Sequence, residues 1–198
     1  GFLVGGVLFT IFVVAGIANA INIIDGFNGL ASMCAMMMLA AIAYVGYQAG
    51  DVQIAALALL GLGALAGFFL WNYPAGLIFL GDGGAYFTGF FVAELSILLV
   101  KRNAEVSPLF PLLMCVYPVV ETLFSIYRRK VIRGTSPGLP DGVHLHQLVY
   151  KRIMRWAVGA RGARELTRRN SLTSPYLWVL CSLAVVPSVI FWNRSGML

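Results

Sequence analysis

Acidic, amide and imidazole side chains that could act on a charged ligand are concentrated in three short segments of this chain. Residues 19–29 read NAINIIDGFNG, and residues 72–84 read NYPAGLIFLGDGG. Residues 141–147 read DGVHLHQ and contain both histidines of the chain. Carboxylates can bind a hard cation, and imidazoles can bind a phosphate or a metal. Because polar groups are expensive in or beside a bilayer, three such segments in so apolar a sequence suggest a binding site.

The first segment combines Asp25 with three asparagines around a glycine turn. Gly26 and Gly29 allow backbone angles that other residues avoid, so backbone amides and carbonyls can approach a ligand closely. Asp25 supplies negative charge, while Asn22 and Asn28 can both donate and accept hydrogen bonds. We predict that a helix ends near Asp25 and that the turn presents these groups. A helix-capping turn without a ligand is the alternative.

In the second segment, Asp82 lies among three glycines just before an apolar stretch. A carboxylate in this setting suits a magnesium ion that is also bound by the oxygens of a diphosphate. The Gly-Lys-Ser/Thr ending of a P-loop is missing, which excludes that kind of nucleotide site. The alternative is that Asp82 only caps a helix starting near Tyr86.

The third segment places His144 and His146 after a turn rich in glycine and proline. This alternate spacing is compatible with a pair of metal ligands, with a phosphate-binding pair or with a solvated loop. No third nitrogen or sulfur ligand lies nearby in the sequence, so zinc is the least favoured of these interpretations.

The rest of the chain has the composition of a membrane protein. Of its 198 residues, 60% are hydrophobic and 11% are charged, and the mean hydropathy is +0.84. Six apolar stretches approach the ~20 residues that a transmembrane helix requires. We therefore predict an all-α, polytopic transmembrane helical bundle with six spans: Phe2–Ala20, Leu30–Tyr47, Ile54–Trp71, Tyr86–Val100, Pro108–Ile126 and Tyr176–Trp192.

The chain starts at Gly1 without the features of a signal peptide. We predict that residues 1–198 are the C-terminal part of one integral membrane domain whose N-terminal part is absent. Cys34, Cys115 and Cys181 each lie within an apolar span and show no paired spacing, so we expect them to be buried free thiols.

Positive charge is concentrated in one connection between spans. Eleven of the 14 Lys and Arg residues lie between Arg128 and Arg169. The positive-inside rule favours a cytoplasmic loop over residues 128–170, in preference to a nucleic-acid-binding segment. Counting spans back from this loop places all three polar segments on the cytoplasmic side. This convergence favours one shared site.

These motifs resemble the polyprenyl-phosphate N-acetylhexosamine-1-phosphate transferases, membrane enzymes of bacterial glycosyltransferase family 4 that start lipid-linked glycans. The similarity covers most of the chain in order. Residues 19–31 resemble the family's long Asn/Asp-Gly motif, and Asn72-Tyr-Pro-Ala resembles its Asn-x-x-Pro-Ala element. Phe79-Leu-Gly-Asp82 is similar to its magnesium motif, and His144-Leu-His146 to its histidine motif. Asn28 stands where the family usually has Asp, which favours the undecaprenyl-phosphate GlcNAc-1-phosphate transferase type over the MurNAc-pentapeptide type.

The resemblance implies that a lipid phosphate attacks the β-phosphate of a UDP-sugar and releases UMP. On this basis Asp82 would bind Mg2+ at the diphosphate, and Phe79 would stack against uracil. His144 and His146 would hold the diphosphate or the sugar. The residues implied to bind the nucleotide are Asn22, Gly26, Phe27, Asn28, Asn72 and Phe79, and those implied to be catalytic are Asp25, Asp82, His144 and His146.

The partners that the resemblance implies are a UDP-N-acetylhexosamine, a polyprenyl phosphate and membrane lipids. The implied location is the bacterial inner membrane, with the active site facing the cytoplasm. We do not expect a nucleic-acid partner, and whether the protein forms a homodimer is left open. The family's adjacent acidic pair has no counterpart here, so we expect it in the absent N-terminal part and expect this fragment alone to be inactive. Two other classes remain as alternatives: a transporter, in which Glu94 would line a pathway, and a non-catalytic relative that only binds nucleotide.

Overall fold

The structure, a computed structural model, describes residues 2–132 and 163–194. Within these two ranges the chain consists of helices and connecting loops and contains no β-strand. This confirms the predicted all-α class. The histidine segment at residues 141–147 lies outside the described residues, as does most of the predicted basic loop.

The described ranges contain long helices joined by short loops at alternate ends. A π-helix over Arg128–Ile132 continues the sixth α-helix. The α-helices are α1 (Phe2–Ile24), α2 (Leu30–Gln48), α3 (Val52–Asn72), α4 (Gly81–Arg102), α5 (Leu109–Met114), α6 (Val116–Tyr127) and α7 (Ala163–Ile190).

Five of these helices are long and apolar enough to cross a membrane. They are α1, α2, α3, α4 and the part of α7 over Asn170–Ile190. Short loops connect α1 to α2, α2 to α3 and α3 to α4, so each of these helices runs in the direction opposite to the one before it. The chain is therefore a multi-pass membrane protein, as its composition predicted.

The predicted span Pro108–Ile126 is divided between two shorter helices, α5 and α6. The division falls at Cys115, whose backbone angles are φ −89° and ψ 5°. Pro118 has no backbone N–H, so it cannot donate to the carbonyl of Met114 four residues earlier. The missing N–H of Pro118 thus explains the break, which a count of apolar residues does not detect.

The predicted span Tyr86–Val100 starts too late, because α4 begins at Gly81. Asp82 consequently lies in the first turn of the helix rather than in a loop ahead of it. The N-terminal end of a helix carries partial positive charge from its free N–H groups, which stabilises a carboxylate there. With this extra turn, α4 is long and apolar enough to cross a membrane.

Helix α2 lies at the centre of the described part. In its apolar window 72% of the residues are buried, compared with 17% in α1. Cys34, Met38 and Ile42 of α2 are fully buried, and the three cysteines of the chain are buried free thiols, as predicted. Helix α1 instead exposes large apolar side chains such as Phe12, as a helix facing lipid can.

The two ends of the bundle have different polar groups. At one end Asp51 forms an ion pair of 2.9 Å with Arg102, and Asn103 donates a hydrogen bond to the same carboxylate. At the other end the loop after α1, the loop between α3 and α4, and the first half of α7 meet. The first two polar segments therefore share one end of the molecule, as the span count predicted; the membrane face that this end occupies stays a prediction.

Candidate active site

One direct contact between the two acidic segments is made by α1 and α4. The Nδ2 of Asn22, near the end of α1, donates a hydrogen bond of 3.1 Å to Oδ1 of Asp82. Gly89 makes this helix pairing possible, because a Cβ at that position would lie 2.6 Å from the Cα of Ala18. Close packing of the two backbones therefore fixes Asn22 opposite the first turn of α4.

Asp25 lies one helical turn after Asn22, and its pKa depends in part on the charge of Asp82. Burial, with a further contribution from the negative charge of Asp82, raises the pKa of the Asp25 carboxyl from 3.8 to about 6. Asp82 itself is exposed to solvent. Two carboxylates that disfavour each other's charge are an arrangement that a divalent cation would stabilise.

A left-handed glycine shapes the turn that follows Asp25. Gly29 has φ +74°, and a Cβ there would lie 2.8 Å from Cδ2 of Tyr73 and 2.9 Å from Cε2 of Phe69. No other residue type fits this combination of backbone angle and close approach. The turn is thereby pressed against the aromatic end of α3, and α2 starts at the next residue.

Asn72, predicted to contact a nucleotide, bridges two loops. Its Oδ1 accepts a hydrogen bond of 2.6 Å from the backbone N–H of Gly29, and its Nδ2 donates one of 2.8 Å to the carbonyl of Ile78. The side chain is buried. Because both ends of the amide are engaged, Asn72 ties the turn after α1 to the segment that leads to Asp82.

Asn28 has a similar structural setting. Its Nδ2 donates to the carbonyl of Pro74 at 3.1 Å and lies 3.4 Å from Oγ of Ser171. Gly76, at φ +64°, comes so close that a Cβ there would lie 2.7 Å from this nitrogen. Asn28 is also buried, so its side chain holds the loops together, and the predicted nucleotide contact stays a prediction.

The remaining predicted residues differ in how much of each side chain a ligand could reach. The ring of Phe79 is 76% exposed and Gly26 is exposed, so both are open to a ligand. Phe27 is only 9% exposed and belongs to the apolar core. The pocket role predicted for Phe27 stays a prediction, with little of its ring exposed to a nucleoside. His144 and His146 lie outside the described residues.

Sequence reasoning missed the role of residues 170–178 of α7. Asn170, Ser171, Ser174 and Trp178 all make hydrogen bonds to the loops that carry the predicted site. Their sequence signal was the polar run Asn170-Ser-Leu-Thr-Ser174 at the entrance to an apolar span. The neighbouring basic residues obscured this signal, because they made the whole stretch resemble a solvated loop.

The fold and the site together define a multi-pass helical membrane protein with a polar, acidic site at one end of its bundle. Residues 2–100 match the family described as Glycosyl transferase family 4, and the chain belongs to that family. This match confirms the resemblance inferred from the motifs, and it covers α1 to α4 with Asn22, Asp25 and Asp82.

Individual relatives agree with the family assignment. A protein of Bacillus subtilis (strain 168) named "Probable undecaprenyl-phosphate N-acetylglucosaminyl 1-phosphate transferase" is 33% identical over 113 residues, which are 57% of this chain and 30% of that protein. An "Undecaprenyl-phosphate alpha-N-acetylglucosaminyl 1-phosphate transferase" of Thermotoga maritima is 29% identical over 93 residues, which are 47% of this chain and 30% of that protein. The chain thus spans less than a third of the length of these relatives.

Proposed function

We propose that the protein containing this chain transfers GlcNAc-1-phosphate from UDP-GlcNAc to undecaprenyl phosphate and releases UMP. The observation that carries the proposal is the meeting of Asn22 and Asp25 at the end of α1 with Asp82 in the first turn of α4. These residues lie in the part of the chain that matches the family. The names of the relatives supply the donor sugar and the lipid acceptor.

Mg2+ is part of the proposal, and the side chains at the site fit it. Asp82 and Asp25 offer carboxylate oxygens, which Mg2+ prefers over nitrogen or sulfur. The raised pKa of Asp25 reflects, after burial, the unfavourable proximity of Asp82, and a bound cation would relieve that repulsion. When bound, Mg2+ would neutralise charge on the diphosphate of the donor.

The residues of the chain would then bind and orient the two substrates. Phe79 has an exposed ring that can stack on uracil, and Gly26 is exposed and leaves its backbone open to the nucleoside. An oxygen of the lipid phosphate attacks the β-phosphorus of the donor, the bond from that phosphorus to the bridging oxygen breaks, and UMP leaves with that oxygen. Catalysis of such a step is mainly positioning and charge neutralisation, so rigid loops matter more than a strong base.

The proposed setting is the bacterial inner membrane with this end of the bundle facing the cytoplasm. The lipid acceptor would reach the site from the bilayer, and the water-soluble donor from the cytoplasm. His144 and His146 are proposed to hold the diphosphate or the sugar on the strength of the family motif alone. The distribution of Lys and Arg supports the orientation, because the basic part of the sequence runs up to Asn170, through which α7 contacts this end of the bundle.

The test is release of UMP from UDP-GlcNAc by the full-length protein in detergent with undecaprenyl phosphate, with and without Mg2+. We expect UMP only when the lipid and Mg2+ are both present. Absence of UMP with UDP-GlcNAc and with other UDP-N-acetylhexosamines would contradict the proposal. Binding of UDP without turnover would identify a non-catalytic relative instead.

A further inference from the structure

We propose that residues 170–178 of α7 position the turn carrying Asp25 against Asp82, with Asn170 and Trp178 as positioning residues. This inference rests on the proposed function, since it concerns the same site. It adds a part of the chain that lies outside the family match, which ends at residue 100. Neither residue carries charge or a nucleophile, so neither is proposed to take part in the chemical step.

The strongest evidence is that α7 holds both backbone groups of Asn28. The N–H of Asn28 donates a hydrogen bond of 2.7 Å to Oδ1 of Asn170. The carbonyl of Asn28 accepts one of 2.6 Å from Oγ of Ser174, which is fully buried. Neither backbone bond follows from local helix or turn geometry, because the partners are more than 140 residues apart in the chain.

Trp178 holds the next residue of the turn. Its Nε1–H donates a hydrogen bond of 3.0 Å to the carbonyl of Gly29. Its ring also packs edge-on against Tyr73, with 5.0 Å between ring centroids, and at an angle against Phe69 at 5.9 Å. These are the two rings that Gly29 admits by lacking a side chain. Trp178, Tyr73 and Phe69 therefore form an aromatic cluster beside the turn.

The same network extends to the loop that leads to Asp82. Ser171 donates a hydrogen bond to the carbonyl of Pro74, the carbonyl that also accepts from Asn28. Asn72 continues the connection to Ile78, four residues before Asp82. Helix α7 is thus bonded both to the loop that carries Asp25 and to the loop that leads to Asp82. Loss of one of its bonds would change the position of Asp25 relative to Asp82, in addition to any loss of stability.

Three substitutions at two positions of the full-length protein separate hydrogen bonding from packing. Asn170→Ala removes the acceptor for the Asn28 N–H, whereas Asn170→Asp keeps an oxygen at the same position. Trp178→Phe keeps an aromatic ring but removes the indole N–H. Trp71→Phe is the matched control, because Trp71 lies on α3 and is 61% exposed.

The readouts are quantities that do not depend on the amount of folded protein. They are the Mg2+ concentration for half-maximal rate, the KM for UDP-GlcNAc, and the affinity for Mn2+ measured by electron paramagnetic resonance without substrates. We expect Asn170→Ala and Trp178→Phe to weaken Mn2+ binding and to raise the Mg2+ requirement by about tenfold, as small displacements in active sites do. Asn170→Asp and Trp71→Phe should stay within about twofold of the unchanged protein.

The outcomes distinguish this inference from the proposed function. Unchanged Mn2+ affinity and Mg2+ requirement in Asn170→Ala and Trp178→Phe, with only a lower yield of folded protein, would overturn the positioning role. Weakened Mn2+ binding in a protein that releases no UMP would support positioning and contradict the transferase. If the protein without substitutions neither binds Mn2+ nor releases UMP, both the positioning role and the proposed function are contradicted.

Discussion

At the scale of single residues, Asp82 is the side chain on which the proposed chemistry depends most. We expect Asp82→Asn in the full-length protein to lower Mg2+-dependent UMP release by at least about 100-fold, since removal of a charge-stabilising group typically has such effects. The fold should be retained, because the new amide oxygen can still accept the hydrogen bond from Asn22. Membrane insertion and thermal stability in detergent are measured alongside the rate.

Glu94 provides a control on the same helix. It is half-buried within α4, about three turns from Asp82, and Glu94→Gln makes the same acid-to-amide change. UMP release within about twofold of normal is expected for this variant, because exposed or half-exposed positions away from a site tolerate such changes. A transporter that used Glu94 would show the reverse pattern, with Asp82→Asn tolerated and substrate flux lost in Glu94→Gln.

Phe79 tests nucleotide binding separately from metal binding. Its ring is 76% exposed and makes its proposed contact only with a ligand, so Phe79→Ala should leave stability unchanged. We expect UDP affinity, measured by calorimetry, to fall by about tenfold, since stacking of a base on an aromatic ring contributes about 1–3 kcal/mol. Leu77→Ala, at a neighbouring residue that is 66% exposed, is the control. Equal UDP affinity in the unchanged protein and in Phe79→Ala would exclude the stacking role.

At the scale of elements, the pairing of α1 with α4 brings the two acidic segments together. Gly89→Ala would place a methyl group 2.6 Å from the Cα of Ala18 and 3.0 Å from the carbonyl oxygen of Ile17. Backbone cannot move aside as a flexible side chain can, so the helices must separate. We expect a loss of about 1–3 kcal/mol in stability, typical of overpacking, together with lower UMP release because Asn22 moves away from Asp82.

Gly63→Ala on α3 is the matched control for this prediction. Its Cβ would meet nothing within 4 Å, so the substitution should be neutral or slightly stabilising, as Ala generally is in helices. The measurement is thermal unfolding in detergent followed by the turnover rate of the folded fraction. Equal melting temperatures for the two variants would mean that the α1–α4 approach does not depend on Gly89.

At the scale of the whole molecule, the sequence predicted the spans better than the contacts between them. Hydropathy located α1, α2, α3 and the C-terminal half of α7, because lipid imposes apolar runs of fixed length. It missed the break at Cys115 and the early start of α4 at Gly81, where proline and glycine act on the backbone and not on hydropathy. The convergence of residues 19–29 and 72–84 was predictable from span counting alone.

The functions of individual polar residues were less predictable than their location. Asn28 and Asn72 were predicted to bind a nucleotide, which stays a prediction; in the structure both are buried and hydrogen-bonded to backbone groups of other loops. An amide has the same chemistry whether it binds a ligand or a loop, so only the three-dimensional neighbours decide between the two. The contributions of Asn170 and Trp178 were invisible for the same reason, because their partners lie far away in the chain.

The orientation of the whole bundle gives the last prediction, and the burial of Cys34, Cys115 and Cys181 makes it practicable. Single cysteines introduced at exposed positions should react with a membrane-impermeant maleimide against a low background. Gly83→Cys lies at the site end, where a Cβ meets nothing within 4 Å, and Val52→Cys lies at the opposite end on a residue that is 69% exposed.

We expect Val52→Cys to be labelled in intact spheroplasts of a bacterial expression host and Gly83→Cys only after inside-out vesicles are prepared. The reason is that the basic part of the sequence runs up to Asn170, which contacts the site end of the bundle, and such basic segments stay in the cytoplasm. The reverse labelling pattern would put the acidic site outside the cytoplasm, away from any UDP-sugar, and would contradict the proposed reaction together with the orientation. Labelling of both positions from one side would instead contradict the alternating path of α3 and α4.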